Sequence, residues 1–138
     1  MLLALGGCAP TNDRSVMLRA IARVMLDGAL PNDGAALDVA VHGIEVAIAG
    51  LPLAVQGEVQ QLFGLLEFPL TRRIVAGVGP WDRASDSEIQ AFLQRWRTSN
   101  ALLLRSGYAA LHQLVMAGWY GNDEAWPRIG YPGPPRIA

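Results

Sequence analysis

The side chains best suited to acid–base or metal chemistry in this sequence are two histidines. His42 and Glu45 lie three positions apart, so a helix would bring the imidazole and the carboxylate to neighbouring turns of one face. Di-iron helical bundles use the reverse order, Glu-x-x-His, twice and add two further carboxylates, and this sequence lacks that set. We therefore interpret His42 and Glu45 as a partly exposed polar edge of a helix. His112 has no sequence neighbour that would complete a nucleophile and base pair.

Motifs of nucleophilic or nucleotide-dependent enzymes are missing from the sequence. A nucleophile elbow needs Gly-x-Ser-x-Gly on a turn from strand to helix, and no such segment occurs. The pair Gly77-Val-Gly79 lacks the third glycine of a dinucleotide fingerprint and is interpreted as a loop. We expect a chain that is not an enzyme by itself, with no catalytic, cofactor-binding or metal-binding residues of its own.

All 11 basic residues are arginines, they are spread along the chain, and the formal net charge is −1. Nucleic-acid binding would need a concentrated basic face that releases counterions from phosphates, so this class is disfavoured. Two interpretations of the arginines stay open. In the first, an anionic ligand or a partner carboxylate is bound by Arg95, Arg97, Arg105 and the Arg72-Arg73 pair. In the second, these residues form a solvated helix face, and their aliphatic stems cover apolar surface. The second interpretation is favoured, because exposed charge on a helix is ordinary.

Cys8 is the only cysteine, so no intrachain disulfide or cysteine-based metal site can form. The run Leu5-Gly-Gly-Cys8 resembles the lipobox of bacterial lipoproteins, in which small residues precede an acylated cysteine. The residues before it lack the positive charge and full apolar stretch of a signal sequence. We expect residues 1–8 to be a truncated export signal or lipobox, with Cys8 as the lipidation site and chance similarity as the alternative. The expected location is the periplasm, with membrane contact only through the lipid or a partner.

Apolar residues recur every three to four positions, which predicts an all-helical protein. We expect one bundle of about four to five helices over residues 9–121. The first helix should begin at Asn12 or Asp13 and end near Leu26, where glycine and proline follow. The second should span 35–49 and, because it is apolar on two sides, lie centrally.

Two further helices are predicted after Pro52. The third should be broken or kinked at Phe68-Pro69, with a short continuation over 70–78. The fourth should begin at a capping box formed by Ser85 and Glu88 and run to about Gly118 as the spine of the domain. Its expected inward-facing residues are Ile89, Phe92, Leu93, Trp96, Leu103, Leu111, Leu114 and Val115.

The C-terminal segment 122–138 has too many prolines for a helix or a central strand. We expect an extended, polyproline-like tail with a turn at Pro132-Gly133. Aromatic rings with polar tips, such as those of Trp126 and Tyr131, provide large contact area at low entropic cost. Two interpretations stay open: the tail docks on a partner, or its rings fold back and cap the bundle.

Several motifs together resemble the gluconate 2-dehydrogenase subunit 3 family, over nearly the whole chain and most specifically in the tail. They are Leu62-Phe-Gly-Leu-Leu66 with Phe68-Pro69, Trp81, Phe92-Leu-Gln-Arg-Trp96-Arg97, Leu111, Trp119-Tyr120-Gly121, Trp126 and Ile129-Gly-Tyr-Pro-Gly-Pro-Pro135. The chain departs from the family in its first residues. Family members carry a twin-arginine export signal, and here Leu5-Gly-Gly-Cys8 stands instead.

The resemblance implies a non-catalytic accessory subunit of a periplasmic, FAD-dependent alcohol or sugar dehydrogenase. Its partner would be a large flavoprotein of the glucose-methanol-choline type that holds FAD, commonly accompanied by a multihaem cytochrome c. The small subunit would assist assembly, export or anchoring of the flavoprotein. The alternative is a free-standing envelope lipoprotein that binds a small ligand or peptide between its helices. The residues assigned to partner binding are Trp81, Trp96, Trp119, Tyr120, Trp126, Gly130, Tyr131, Pro132, Gly133, Pro134 and Pro135.

Overall fold

A computed structural model of the chain describes residues 2–30 and 34–121, with side chains from residue 14 onward in the first range. These residues form six α-helices, and no β-strand occurs in these two ranges. The helices are α1 (Leu2–Met25), α2 (Gly34–Ala49), α3 (Leu53–Glu67), α4 (Pro69–Val75), α5 (Asp86–Arg97) and α6 (Leu102–Tyr120). The all-helical prediction is confirmed. No helix in the described ranges is long and apolar enough to cross a membrane.

The first helix begins much earlier than predicted. α1 starts at Leu2, so the expected cap at Asn12 or Asp13 is wrong. Leucine and alanine are strong helix formers, and they dominate residues 2–5 before the expected cap. The other end agrees with the prediction, because α1 stops at Met25 and Gly28 follows with a positive φ of 85°.

α1, rather than α2, occupies the central position of the bundle. α1 packs against α2, α3, α5 and α6, whereas α2 packs most extensively against α6. The second apolar side of α2 is not covered, since Val46 is 58% exposed. The buried face of α2 consists of Ala36, Leu37, Ala40, Val41, Ile44 and Ile48.

The predicted break between α3 and α4 is confirmed. Phe68 adopts an extended conformation with φ −73° and ψ 125°, and Pro69 opens α4. The last carbonyls of a helix have no partner within it, so other donors must satisfy them. The Phe68 N–H donates to Gly64 O at 3.1 Å, and the Thr71 hydroxyl donates to Leu65 O at 2.7 Å.

The predicted fourth helix is two helices, α5 and α6, separated by residues 98–101. Its start is confirmed, because the N–H of Glu88 donates to the Ser85 hydroxyl at 3.2 Å. Its uninterrupted run to Gly118 is wrong. The Thr98 hydroxyl donates to Gln94 O at 2.8 Å, and the Ser99 hydroxyl accepts from Ala101 N–H at 3.0 Å. Such side chain to backbone bonds compete with helix continuation.

The break also changes which residues face the core. Leu103 was expected to point inward but lies in the first turn of α6 and is 75% exposed. The other seven residues expected to face inward are buried, namely Ile89, Phe92, Leu93, Trp96, Leu111, Leu114 and Val115.

Candidate partner-binding surface

Three tryptophans that the sequence assigned to partner binding lie in the core. Trp81 is 5% exposed, Trp96 is 2% exposed and Trp119 is 1% exposed. Their rings therefore pack within the chain, which corrects their assignment to an exposed docking surface. Tyr120 is half-buried and packs against the same core. For Trp119 and Tyr120, the structure favours the interpretation that the rings cap the bundle.

The indoles of Trp81 and Trp96 have a structural role that joins helix ends. Trp81 Nε1 donates to Leu66 O at 2.8 Å, and Trp96 Nε1 donates to Val75 O at 2.8 Å. Each acceptor is a carbonyl in the last turn of a helix, α3 or α4, where no backbone donor of the same helix is available. Phe92 lies between the two indoles, with edge-to-face contacts at centroid distances of 6.0 Å and 4.9 Å.

The remaining residues assigned to the tail and to lipidation lie outside the described part of the chain. This applies to the side chain of Cys8, so lipidation stays a prediction. It also applies to the tail residues Trp126, Gly130, Tyr131, Pro132, Gly133, Pro134 and Pro135.

The histidines occupy ordinary helix surfaces. His42 and Glu45 are both exposed on α2, as the sequence predicted. His112 stacks on Tyr108 with a centroid distance of 5.9 Å and an interplanar angle of 27°. Among the residues with described side chains, no three His, Cys, Asp or Glu residues come together as metal ligands.

Arg72 differs from the expectation of a solvated arginine face, because it is only 7% exposed. Its Nε donates to Val78 O at 3.2 Å, which ties α4 to the loop that follows. Arg73, its neighbour, is exposed. The pair therefore divides into one structural arginine and one surface arginine.

An apolar groove lies between α3 and the first half of α6, with a volume of about 400 Å³. We call it the α3–α6 groove. Trp96 forms part of its lining beside Gly107, where an added Cβ would lie 2.7 Å from Cζ3 of Trp96. The absence of a side chain at Gly107 therefore lets the Trp96 ring pack directly against the backbone of α6. The apolar lining residues on the two helices and α4 are Val55, Val59, Leu62, Leu65, Val75, Leu103, Leu104 and Ala110.

Most large exposed apolar side chains lie on the helices that border the groove, and three of them, Val55, Leu65 and Leu103, are part of its lining. Val46 on α2 is an exception, and the others lie on α3, on α4, at their junction or in the first turn of α6. They are Leu53, Val55, Leu65, Phe68, Leu70, Ile74, Leu102 and Leu103. Sequence reasoning missed this surface because it treated Leu103 as part of a long buried helix. The signal that could have shown it is Thr98-Ser-Asn, which only Ala101 separates from three leucines.

Four exposed arginines, which we call the arginine corner, lie close to groove-lining residues in the sequence, although none of them is part of the lining: Arg73, Arg95, Arg97 and Arg105. Each lies within two positions of a groove-lining residue in the sequence. The Arg95 guanidinium donates to Ala76 O, next to the lining residue Val75.

The arginine corner has no carboxylate partner in the described part of the chain. The ion pairs there join Arg14 to Glu67, Arg19 to Asp38 and Arg23 to Asp86. Residues 89–121 contain no Asp or Glu at all, and Glu58 is the acidic side chain that lines the groove. The ion pairs of the described residues therefore do not include these four arginines, and the whole chain has a formal net charge of −1.

A second hollow, of about 580 Å³, lies between α1, α5 and α6 and has a more polar lining. It is bordered by Tyr108 and His112 on α6, with Gln90 and Gln94 on α5. This hollow has the size of a small-molecule site, since such pockets typically enclose about 300–1,000 Å³.

Comparison with known proteins identifies no family model, no curated protein and no solved structure that matches the chain.

Proposed function

We propose that this chain is a non-catalytic accessory subunit of an exported FAD-dependent dehydrogenase complex and that it binds the flavoprotein large subunit. The observation that carries the proposal is that eight of the nine large exposed apolar side chains lie on α3, on α4, at their junction or in the first turn of α6, three of them in the lining of the α3–α6 groove. Single exposed hydrophobic residues are normal on soluble proteins, whereas concentrated ones beside a groove mark interaction surfaces.

The free energy of burying these exposed side chains supports a surface that a partner covers. Leu102 and Leu103 are 69% and 75% exposed, and Ile74 is 72% exposed. Burying such a side chain completely is worth about 1.5–3 kcal/mol, so leaving several in water forgoes a large contribution. A partner that covers them recovers that contribution on binding, less the cost of association.

The chemistry of the described residues also supports a binding role. The buried arginine, Arg72, has a backbone partner at 3.2 Å, and the two buried indoles of Trp81 and Trp96 satisfy helix carbonyls. These polar groups are used to hold the fold together. The features left over at the surface are the groove, the arginine corner and the second hollow of about 580 Å³.

Co-expression with a flavoprotein large subunit of the glucose-methanol-choline type from the same organism tests the proposal. We expect the two proteins to elute together in size-exclusion chromatography when only one of them carries an affinity tag. Replacing Trp126 and Tyr131 by Ala should weaken the complex, while helical circular dichroism stays unchanged if the tail docks. Separate elution of the wild-type chain at micromolar concentrations contradicts the proposal. An unrelated flavoprotein of similar size is the matched control.

Location in the periplasm, with a lipid on Cys8, is part of the same proposal. Mass spectrometry of the mature N-terminus reports both cleavage before Cys8 and acylation. Because one lipid chain anchors a protein only weakly, we expect the complex to add further membrane affinity. An N-terminus that retains residues 1–7 without a lipid would rule out this part of the proposal.

The second candidate is a free-standing envelope lipoprotein that binds a small ligand. The hollow of about 580 Å³ beside Tyr108 and His112 favours it. Native mass spectrometry of the purified chain distinguishes the two. A bound molecule of defined mass that is lost in Tyr108→Ala supports the ligand-binding lipoprotein, and an unliganded chain that captures the flavoprotein supports the accessory subunit.

A further inference from the structure

We infer that the α3–α6 groove receives the chain's own C-terminal segment, residues 128–136, which returns along α6 from Gly121. The segment has the sequence Arg-Ile-Gly-Tyr-Pro-Gly-Pro-Pro-Arg and lies outside the described part of the chain. Three observations favour it as the occupant: the position at which α6 ends, the apolar lining of the groove and the one charge in that lining. The contact is within one chain, so it goes beyond the proposed function and does not depend on it.

The C-terminal segment begins close enough to the groove to reach it. Gly107 borders the groove, and Gly121 follows the end of α6. At a rise of 1.5 Å per residue, the two glycines lie about 21 Å apart along the helix. An extended chain advances about 3.1–3.4 Å per residue, so a chain that turns back at Gly121 covers this distance by about Arg128. Residues from 128 onward therefore reach the level of Gly107.

The composition of the segment suits an apolar groove. Ile129, Tyr131 and three prolines provide apolar surface, and proline restricts the chain before it binds, which lowers the entropic cost of docking. Three of the exposed apolar side chains, Val55, Leu65 and Leu103, line the groove and would be covered by the segment. The exposed apolar side chains outside the groove remain available to a partner.

The charge in the groove favours this segment over an acidic one. Glu58 is the one charged side chain of the lining in the described ranges; it is exposed, and the ion pairs there do not include it. Residues 128–136 carry two positive charges, Arg128 and Arg136, and no acidic residue. Guanidinium and carboxylate groups form charge-assisted hydrogen bonds, so either arginine can pair with Glu58.

The covalent connection favours the chain's own segment over a separate molecule. A group joined by a short linker has an effective concentration of about 1 mM, so a contact with a Kd of about 0.1 mM is about 90% occupied. A second copy of the chain or a separate protein would have to bind far more tightly to fill the groove at micromolar concentration.

Paramagnetic relaxation in the full-length chain tests the contact without any partner. Cys8→Ser removes the natural thiol, and Ala138→Cys provides one attachment site for a nitroxide label just beyond the segment. Amide signals are compared with the label oxidised and reduced. We expect the oxidised label to cause a loss of signal at Leu62 and Gly107 in the groove, and a smaller loss at Gln90 beside the second hollow.

Two pairs of matched substitutions locate the contact. Leu103→Arg places a positive charge in the groove, and Leu102→Arg places the same charge on the neighbouring residue, which is 69% exposed and not part of the lining. Glu58→Arg reverses the charge of the groove, and Glu45→Arg makes the same change on the exposed side of α2.

The groove variants should release the segment, and their controls should not. We expect Leu103→Arg to restore the groove signals and Glu58→Arg to weaken the effect of the label about two- to fivefold, as the loss of an exposed ion pair does. Leu102→Arg and Glu45→Arg should leave the effect unchanged. Circular dichroism verifies that each variant is folded, and Glu58→Arg decides if Leu103→Arg loses helicity.

Four results would overturn the inference. Full signal intensity at Leu62 and Gly107 would leave the groove open to the flavoprotein. A stronger loss at Gln90 would place the segment in the second hollow. Groove variants that behave like their controls would place it elsewhere on the bundle. Signal loss in isotope-labelled chain that carries no nitroxide, mixed with nitroxide-labelled chain, would show that a second copy fills the groove. None of these results concerns flavoprotein binding, so the proposed function stands or fails separately.

Discussion

Gly43 of α2 and Gly118 of α6 face each other with no room for a side chain on either. A Cβ added to Gly43 would overlap the Gly118 carbonyl group and lie 2.8 Å from its carbon atom. A Cβ added to Gly118 would lie 2.6 Å from Cγ1 of Ile44 and 2.9 Å from Ala40 O. The backbones of α2 and α6 therefore pack directly on each other at this crossing, within the most extensive helix pair of the bundle.

The first prediction concerns this crossing. Gly43→Ala should lower the free energy of unfolding by about 1–3 kcal/mol or more, because the added methyl group overpacks the crossing and forces α2 and α6 apart. Gly64→Ala is the matched control, since an added Cβ there meets nothing within 4 Å inside α3. The control should be neutral or stabilising by about 0.5–1 kcal/mol. Urea unfolding compares the two, and equal stabilities would contradict the close approach of α2 and α6.

The second prediction concerns the indole of Trp81. Trp81→Phe keeps an aromatic ring but leaves Leu66 O without the donor that lies 2.8 Å away. An unsatisfied buried carbonyl costs about 1–3 kcal/mol, and lost packing adds to this. Thermal and urea unfolding should both show the destabilisation, while native helical content stays near that of the wild type. A variant as stable as the wild type would mean that water replaces the indole as donor.

The third prediction compares two ion pairs of different burial. Arg14 donates from Nε and Nη2 to the two carboxylate oxygens of Glu67, both at 3.0 Å, and its guanidinium lies 5.1 Å from the Phe63 ring centroid. Lysine cannot reproduce this two-bond geometry. Arg14→Lys should therefore destabilise the fold by about 1–2 kcal/mol, near the lower end of the about 1.5–3 kcal/mol for hydrogen bonds to charged groups, because Arg14 is 30% exposed.

Arg23→Lys is the matched control for the Arg14 prediction. Arg23 pairs with Asp86 at 2.9 Å, but the two side chains are 43% and 64% exposed, against 30% and 14% for Arg14 and Glu67. Exposed pairs contribute about 0–1 kcal/mol and are screened by salt. Chemical denaturation at low and high salt should show the larger loss for Arg14→Lys at both. The reverse order would mean that the α1–α3 bridge does not form.

The fourth prediction concerns the start of α5. Ser85→Ala removes the oxygen that accepts from Glu88 N–H at 3.2 Å and should cost about 1 kcal/mol. Ser87→Ala removes a hydroxyl inside the first turn, where alanine is the better helix former, so no loss is expected. Amide hydrogen exchange should show faster exchange at Glu88 in Ser85→Ala only. Equal protection in both variants would show that the Ser85 cap contributes nothing.

Local signals in the sequence were sufficient for much of the helical pattern. The end of α1 near Leu26, the break at Phe68-Pro69 and the start of α5 after Ser85 all follow from glycine, proline or a capping side chain. Such signals act between residues a few positions apart, so they need no knowledge of tertiary neighbours. The break at 98–101 was also local, through Thr98 and Ser99, but apolar periodicity on either side concealed it.

The sequence by itself therefore determined the all-helical class, through the recurrence of apolar residues every three to four positions, and most helix ends, through glycine, proline and capping side chains within one turn. Tertiary structure decided the burial of Trp81, Trp96 and Trp119, because burial depends on which helices pack against each indole ring. It also decided that Arg72 is structural and that α3 and α6 leave a groove beside Trp96. An aromatic or arginine side chain suits a core and an interface equally well by its own chemistry. Only the packing of distant segments around it determines which of the two it serves.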